Sequence, residues 1–253
     1  MAKTKGELSL WNKIAFGMGD IYGGGSMIIV GIFYLYFLTD VVGLSPALAG
    51  TVLLISKIWD AVNDPLMGVI TDRTRTRYGR RRPFLLAGIA FIFLSYFMLW
   101  YPVSYQSEVA RFAFVLLAYL FFDAVITLVM VPYNALASEL TLDYSERTSL
   151  VSIRMGFSMF SSILCAVVPM EIVKMVPDVR VGHMIMGASF GLFFALPFLA
   201  TFFYTKERPE FQEAVPEFNL LKSYREPFKI KSFLHVMFMY LFSFLAMDVV
   251  MAI

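Results

Sequence analysis

The stretch KIWDAVNDPLMG, residues 57–68, sets two carboxylates, Asp60 and Asp64, four residues apart inside a long apolar run. On a helix that spacing puts them about 40° apart in azimuth and about 6 Å apart along the axis, on one face. Lys57 and Asn63 flank that face. One charged side chain at mid-bilayer costs about 2.5–3.5 kcal/mol on insertion scales, so such groups face water, a partner or a cargo. Two close carboxylates repel unless one is protonated or a cation sits between them. Hard oxygen ligands of variable charge suit a monovalent cation. Asp60 and Asp64, with Asn63 beside them, are therefore read as a Na+ or H+ site. The competing reading is a structural Lys57–Asp60 pair, with Asp64 near the end of the span. Pro65 fits either reading, because it loosens a helical turn and also frees carbonyls that can coordinate a cation.

Other polar groups interrupt the apolar pattern. Asp123 lies inside LAYLFFDAVITLVMVPY and shares one helix face with Thr127 and Met130, spaced i, i+4, i+7. It is expected either to face a substrate cavity or to pair with Arg154 or Lys57. Downstream of the paired carboxylates runs GVITDRTRTRYGRRRP, a basic loop. Topology alone accounts for its arginines. Gly68 is read as permitting close helix contact, and Asp72 beside Arg73 as a latch between helix bundles. Gly23, Gly24 and Gly25 are read chiefly as a helix-packing face.

The elements that carry these residues follow from composition. Of 253 residues, 59% are hydrophobic and 17% aromatic, above the soluble-domain norm of about 45–50% apolar. That excludes an ordinary soluble domain and implies an all-α, multi-pass membrane protein. Spans are predicted at 15–39, 47–70, 83–103, 113–137, 150–173, 183–204 and 233–253. With the N-terminus inside, sixteen Lys and Arg fall in inner segments and three in outer loops, which orients the chain with its N-terminus cytoplasmic. One cysteine excludes an intrachain disulfide. Neither a metal-ligand cluster of His and Cys nor a signal peptide is evident, and nothing suggests a nucleic-acid partner. The expected organisation is a six-helix bundle (1–204), a charged cytoplasmic linker (205–232) and the first helix of a second bundle (233–253). The apolar last residues, DVVMAI, suggest a C-terminal truncation, with the rest of that bundle as the missing partner.

Several of these strings resemble a known family. Gly68-x-x-x-Asp72-Arg73 is similar to the loop between helices 2 and 3 of the major facilitator superfamily. Trp59-Asp60-x-x-Asn63-Asp64-Pro65-x-x-Gly68 resembles the glycoside–pentoside–hexuronide:cation symporters, the melibiose permease family. Phe16-Gly17-Met18-Gly19-Asp20, Thr39-Asp40-Val41-Val42-Gly43-Leu44, Pro132-Tyr133-x-Ala135-Leu136 and Leu142-Asp143-x-x-Glu146-Arg147 agree with it. The resemblance covers nearly the whole chain, as the family's N-terminal half. It implies that Asp60 and Asp64 bind the coupling cation (Na+ if the carrier is sodium-coupled), that Thr127 assists and that Arg154 serves the sugar site. Lys57 stands at the family's basic position. The family's two sugar-gripping carboxylates fall on Gly24 and Met130, so the sugar's identity does not carry over.

The implied function is cation-coupled symport of a sugar or glycoside by alternating access in the bacterial inner membrane, with no cofactor beyond the coupling ion. An uncoupled facilitator or a lipid carrier of the same superfamily is the alternative. Gly17-Met18-Gly19-Asp20 and Pro46-Ala47-Leu48 also spell two motifs of intramembrane aspartyl proteases. That reading fails on context: no span precedes Asp20 to supply the second catalytic aspartate.

Overall fold

The computed structural model describes residues 8–207 and 227–251. Lys3, Lys5, Arg208, Lys222, Arg225 and most of the predicted linker lie outside the described residues. The chain divides into two units, Met1–Ala214 and Val215–Ile253.

The first unit is built from helices. Span 1 comprises α1 (Leu10–Met18) and α2 (Asp20–Ile29), joined at Gly19 and continued by π-helical turns at Val30–Tyr34 and Phe37–Val41. Then come α3 (Pro46–Arg73), α4 (Arg82–Leu99), α5 (Glu108–Leu140) and α6 (Tyr144–Lys174). Span 6 is α7 (Val179–Ala195) followed directly by α8 (Pro197–Tyr204). The second unit contains α9 (Lys231–Met251).

Each predicted span coincides with a helical segment, and α5 and α6 run several residues past the predicted limits. Among the described residues, five helices are long and apolar enough to cross a membrane: Leu10–Tyr34, Arg82–Leu99, Glu108–Leu140, Tyr144–Lys174 and Val179–Tyr204. At 28 residues, α3 has the length, but Lys57, Asp60, Asp64, Asp72 and Arg73 lower its apolarity. Pro46-Ala47-Leu48 opens α3. Proline at the first helical turn costs no hydrogen bond. Pro65, Pro132 and Pro169 sit inside continuous helices.

The packing follows a two-fold pattern. Span 1 packs on span 5 (α2 on α6), and span 4 packs on span 2 (α5 on α3). Spans 3 and 6 meet through α4 and α7. Span 3 also meets span 4 (α4 on α5), as span 6 meets span 1 (α8 on α1). Exchanging spans 1, 2, 3 for 4, 5, 6 returns these pairings, as expected of two three-helix repeats, although the contact of span 5 with span 6 (α6 on α7) has no comparable counterpart between spans 2 and 3.

Glycines and small hydroxyls set the closest approach. A Cβ on Gly24 would meet the Ser158 backbone Cα at 2.8 Å and its carbonyl oxygen at 2.7 Å. One on Gly25 would collide with Ser161 and Cys165. Ser161 donates to the Ile21 carbonyl at 2.7 Å and Ser162 to that of Gly24 at 2.9 Å, riveting span 1 to span 5. Tyr22, Tyr34, Tyr96, Trp100, Phe122, Phe194 and Phe198 fill the centre. At one end Arg180 donates to the Pro102 and Val103 carbonyls and the Ser104 hydroxyl, tying the start of α7 to the loop after α4.

Candidate cation and substrate site

The helical phase of α3 divides its polar residues between two faces. Asn63 is buried, whereas Lys57 and Asp64 are exposed and Asp60 is part-exposed. Asp60 and Lys57 pair at 3.5 Å across one turn. Asp64 instead reaches the neighbouring helix: the Thr127 hydroxyl on α5 donates to its Oδ1 at 2.7 Å. That charge-assisted bond spans the packed α3–α5 pair and fixes one carboxylate oxygen. The Asp60 and Asp64 carboxylates thus line an open face of the bundle, one turn apart. The Asn63 amide nitrogen is buried without a hydrogen-bond partner, a donor left over at the back of this site.

Asp123 lies deeper, 4% exposed, and its Oδ2 has no hydrogen-bond partner. Neither expected partner reaches it. Lys57 pairs with Asp60, and Arg154 turns to span 1. One guanidinium nitrogen of Arg154 donates to Asp20 Oδ1 at 2.9 Å and to Asn134 Oδ1 at 2.6 Å. The guanidinium also stacks over the Tyr133 ring, its carbon 4.9 Å from the ring centroid. Tyr133 is held in turn by its hydroxyl donating to the Phe16 carbonyl at 2.7 Å. The close approach of this ring requires Gly19, where a Cβ would meet it at 2.6 Å.

Met130 and Gly24 occupy different surroundings. The Met130 methyl lies over Gly23, on the flank of the Asp20–Arg154 pair, so Asp20, Met130 and Arg154 form one cluster. Gly24 is packed against Ser158 instead.

The basic loop is clamped from three directions. Arg81 bonds Asp72 at 3.0 Å and Glu139 at 2.8 Å, and Arg80 also bonds Glu139. Asp72 therefore acts within this unit, joining the end of α3 to the start of α4. The Glu207 carboxylate accepts the backbone N–H groups of Arg80 and Arg81 at 2.7 Å and of Arg82 at 3.0 Å. Those are unpaired donors of the α4 N-terminus, and the negative charge suits the positive end of that helix. Gly79, with φ of 111°, makes room for it, because a Cβ there would lie 2.6 Å from the carboxylate. A Cβ on Gly68, by contrast, would meet nothing within 4 Å, so no close contact among the described residues requires that glycine.

Sequence reasoning singled out Asp60, Asp64, Thr127 and Arg154, but it missed Asn134, Glu139 and Glu207. Their signal was weak. The partner of each lies 20 to 127 residues away in the chain.

Among the described residues no three His, Cys, Asp or Glu side chains gather closely enough to hold a metal ion by themselves. A cation at Asp60 and Asp64 would take further oxygens from Thr127, backbone carbonyls or water.

Residues 15–253 match the family described as MFS/sugar transport protein. The chain is 39% identical over 177 residues to an uncharacterized symporter of Synechocystis, covering 68% of this chain and 32% of that protein. It is 34% identical over 208 residues to the "Putative glycoside/cation symporter YagG" of Escherichia coli, covering 81% and 45%. It is 33% identical over 174 residues to the sodium-dependent lysophosphatidylcholine symporter 1-A of Danio rerio, covering 68% and 32%. The chain thus spans between about a third and a half of the length of these relatives. Five described helices long and apolar enough to cross a membrane and relatives named as symporters make it a multi-pass membrane protein. It belongs to the MFS/sugar transport family of the major facilitator superfamily.

Proposed function

We infer that this chain supplies one wall of a symporter that couples a monovalent cation to the uptake of a small polar solute, a sugar or glycoside. One observation carries the reading: Thr127 on α5 donates to Asp64 on α3, with Asp60 one turn away on the same open face. A face carrying two carboxylates and one lysine has net negative charge until a cation enters. Na+ or H+ would neutralise it. Asn63 would add a polar contact at its back.

Arg154, held by Asp20 and Asn134, offers a fixed cationic fork beside Met130 for a solute's hydroxyl or anionic group. Glycosides are favoured by the name of the Escherichia coli relative. A lysophospholipid is the second reading. The sodium-dependent relative from Danio rerio is named for that substrate, and Gly24 and Met130 leave span 1 and span 4 without sugar-gripping carboxylates.

The Lys and Arg bias puts the N-terminus and the arginine-rich loop on the cytoplasmic side of the membrane. In this account a second bundle closes the cavity, and empty or fully loaded carriers reorient. A half-loaded carrier stalls, because uncompensated charge in a dry interface is costly. Gly68, Asp72 and Arg73 lie in the last two turns of α3, before the loop to α4, and Asp72 latches that loop through Arg81.

The test is uptake of radiolabelled glycosides and of lysophosphatidylcholine by cells expressing the gene, with and without a Na+ gradient and at two external pH values. Gradient-dependent accumulation of a glycoside supports the reading. Accumulation of the lysophospholipid alone selects the second. Equilibration without accumulation makes the protein a facilitator.

A further inference from the structure

Asp123 is the group that this account leaves unused. It is buried, its Oδ2 lacks a hydrogen-bond partner, and no described lysine or arginine forms an ion pair with it. Around it the Tyr22 and Tyr34 hydroxyls of span 1 are also buried without hydrogen-bond partners. Both lie within electrostatic range of Asp123. Tyr119 from its own helix and Ser56 from α3 are further neighbours. The charged groups that act on it are Asp60, Lys57 and Asp64, all on α3. Two of those three are negative. The remaining neighbours are aromatic: Phe122 packs on Tyr96 and Tyr119, and Tyr34 on Tyr119 and Trp100.

An ionised carboxylate in such surroundings is expensive, and a buried group that finds no cation takes a proton instead. A metal ion fits poorly here, since a hard cation takes six or so oxygen ligands and this place offers one carboxylate with scattered hydroxyls. A carboxylic acid fits well. It carries no charge into this apolar surrounding.

We propose that Asp123 is a proton-binding site distinct from the cation site at Asp60 and Asp64, and that the two sites are linked. Asp123 is neutral while the cation site is empty. A cation arriving at Asp60 and Asp64 brings positive charge within range, favours the ionised form and expels the proton. In that step the O–H bond of Asp123 breaks, the electron pair stays on the carboxylate and the proton passes to bulk water. Linkage requires the reverse as well: raising the pH ionises Asp123 and tightens cation binding. One charge acting over several ångströms of protein interior changes affinity on the order of tenfold. The proposal rests on the reading of Asp60 and Asp64 as the cation site and adds a second ion to it.

The experiment uses Na+ as the probe on the purified chain in detergent. Its affinity is measured by calorimetry across the neutral range, in two buffers of different ionisation enthalpy, to count protons released. The wild-type affinity is expected to rise with pH, with protons released on binding. Asp123→Asn keeps the shape and should still bind Na+, with fewer protons released and a flatter pH dependence. Asp60 and Asp64 are present in both proteins, so the difference between the two isolates Asp123. Tyr22→Phe, which removes a neighbouring hydroxyl, should shift the pH dependence without abolishing Na+ binding. Identical proton release in wild type and Asp123→Asn overturns the proposal and leaves the cation site standing. Loss of Na+ binding in an Asp123→Asn protein that keeps its helical content and monodispersity also overturns it, making Asp123 a direct ligand. Absence of Na+ binding in the wild type overturns this proposal and leaves H+ as the only cation for Asp60 and Asp64.

Discussion

Replacing Thr127 with Val removes one hydroxyl from the α3–α5 interface at nearly constant volume. In the wild type that hydroxyl donates to Asp64 Oδ1 at 2.7 Å and is buried. A hydrogen bond to a charged group contributes about 1.5–3 kcal/mol. A factor of ten corresponds to about 1.4 kcal/mol, so the loss is worth roughly one to two decades. If Thr127 orients Asp64 for the cation, or adds its own oxygen to the ion, Thr127→Val should raise the cation concentration for half-maximal uptake by about ten- to a hundredfold. Thr127→Ser keeps the hydroxyl and should restore most of that affinity. The assay is cation-dependent uptake over a wide concentration series, with protein amount matched by immunoblot. Maximal velocity should change far less than half-saturation. An unchanged half-saturation constant in Thr127→Val would refute the reasoning, because it would mean that the interhelix bond only packs α3 against α5.

Further tests address the other contacts. Arg154→Lys keeps the charge but loses the fork over Tyr133, so the substrate KM should rise at least tenfold while the cation dependence is unchanged; a shift in the cation dependence instead would move Arg154 out of the substrate role. Glu207→Ala strips three backbone N–H groups of α4 of their acceptor and should lower thermal stability by about 2 kcal/mol or more, the upper range for a lost helix cap, read as the melting midpoint of the purified chain. Gly79→Ala strains a positive φ and crowds the same carboxylate, so it should cost about 1–3 kcal/mol in the same assay; no change in melting would show that the loop can relax. Gly24→Val pushes a side chain into the Ser158 backbone, and a normal yield of folded protein would show that spans 1 and 5 do not need this approach.

Much of the architecture was legible because the apolar length of a span is imposed by the membrane itself. The spans, and the shared face of Asp60 and Asp64, follow from helical geometry alone. Thr127 was legible only by resemblance, since nothing local distinguishes it from other threonines in apolar helices. The partner of Arg154 could not be read. Asp20, Asp60, Asp64 and Asp123 are all aspartates in or near spans, and only tertiary packing assigns Asp20 to Arg154 and leaves Asp123 without an ion-pair partner. Glu207 was illegible for the same reason, because its three amide donors lie more than a hundred residues earlier in the chain. Gly68 shows the converse: its place in a motif suggested a close helix contact, yet no described residue would come within 4 Å of a Cβ there.

The central claim is that Asp60 and Asp64 bind the coupling cation. Its most direct test is concentrative uptake compared with equilibrium exchange of the same labelled substrate in cells expressing wild type, Asp60→Asn or Asp64→Asn. The account predicts that both variants reach the membrane, lose gradient-driven accumulation and keep the ability to exchange substrate down its gradient. Full gradient-driven accumulation in either variant would contradict it.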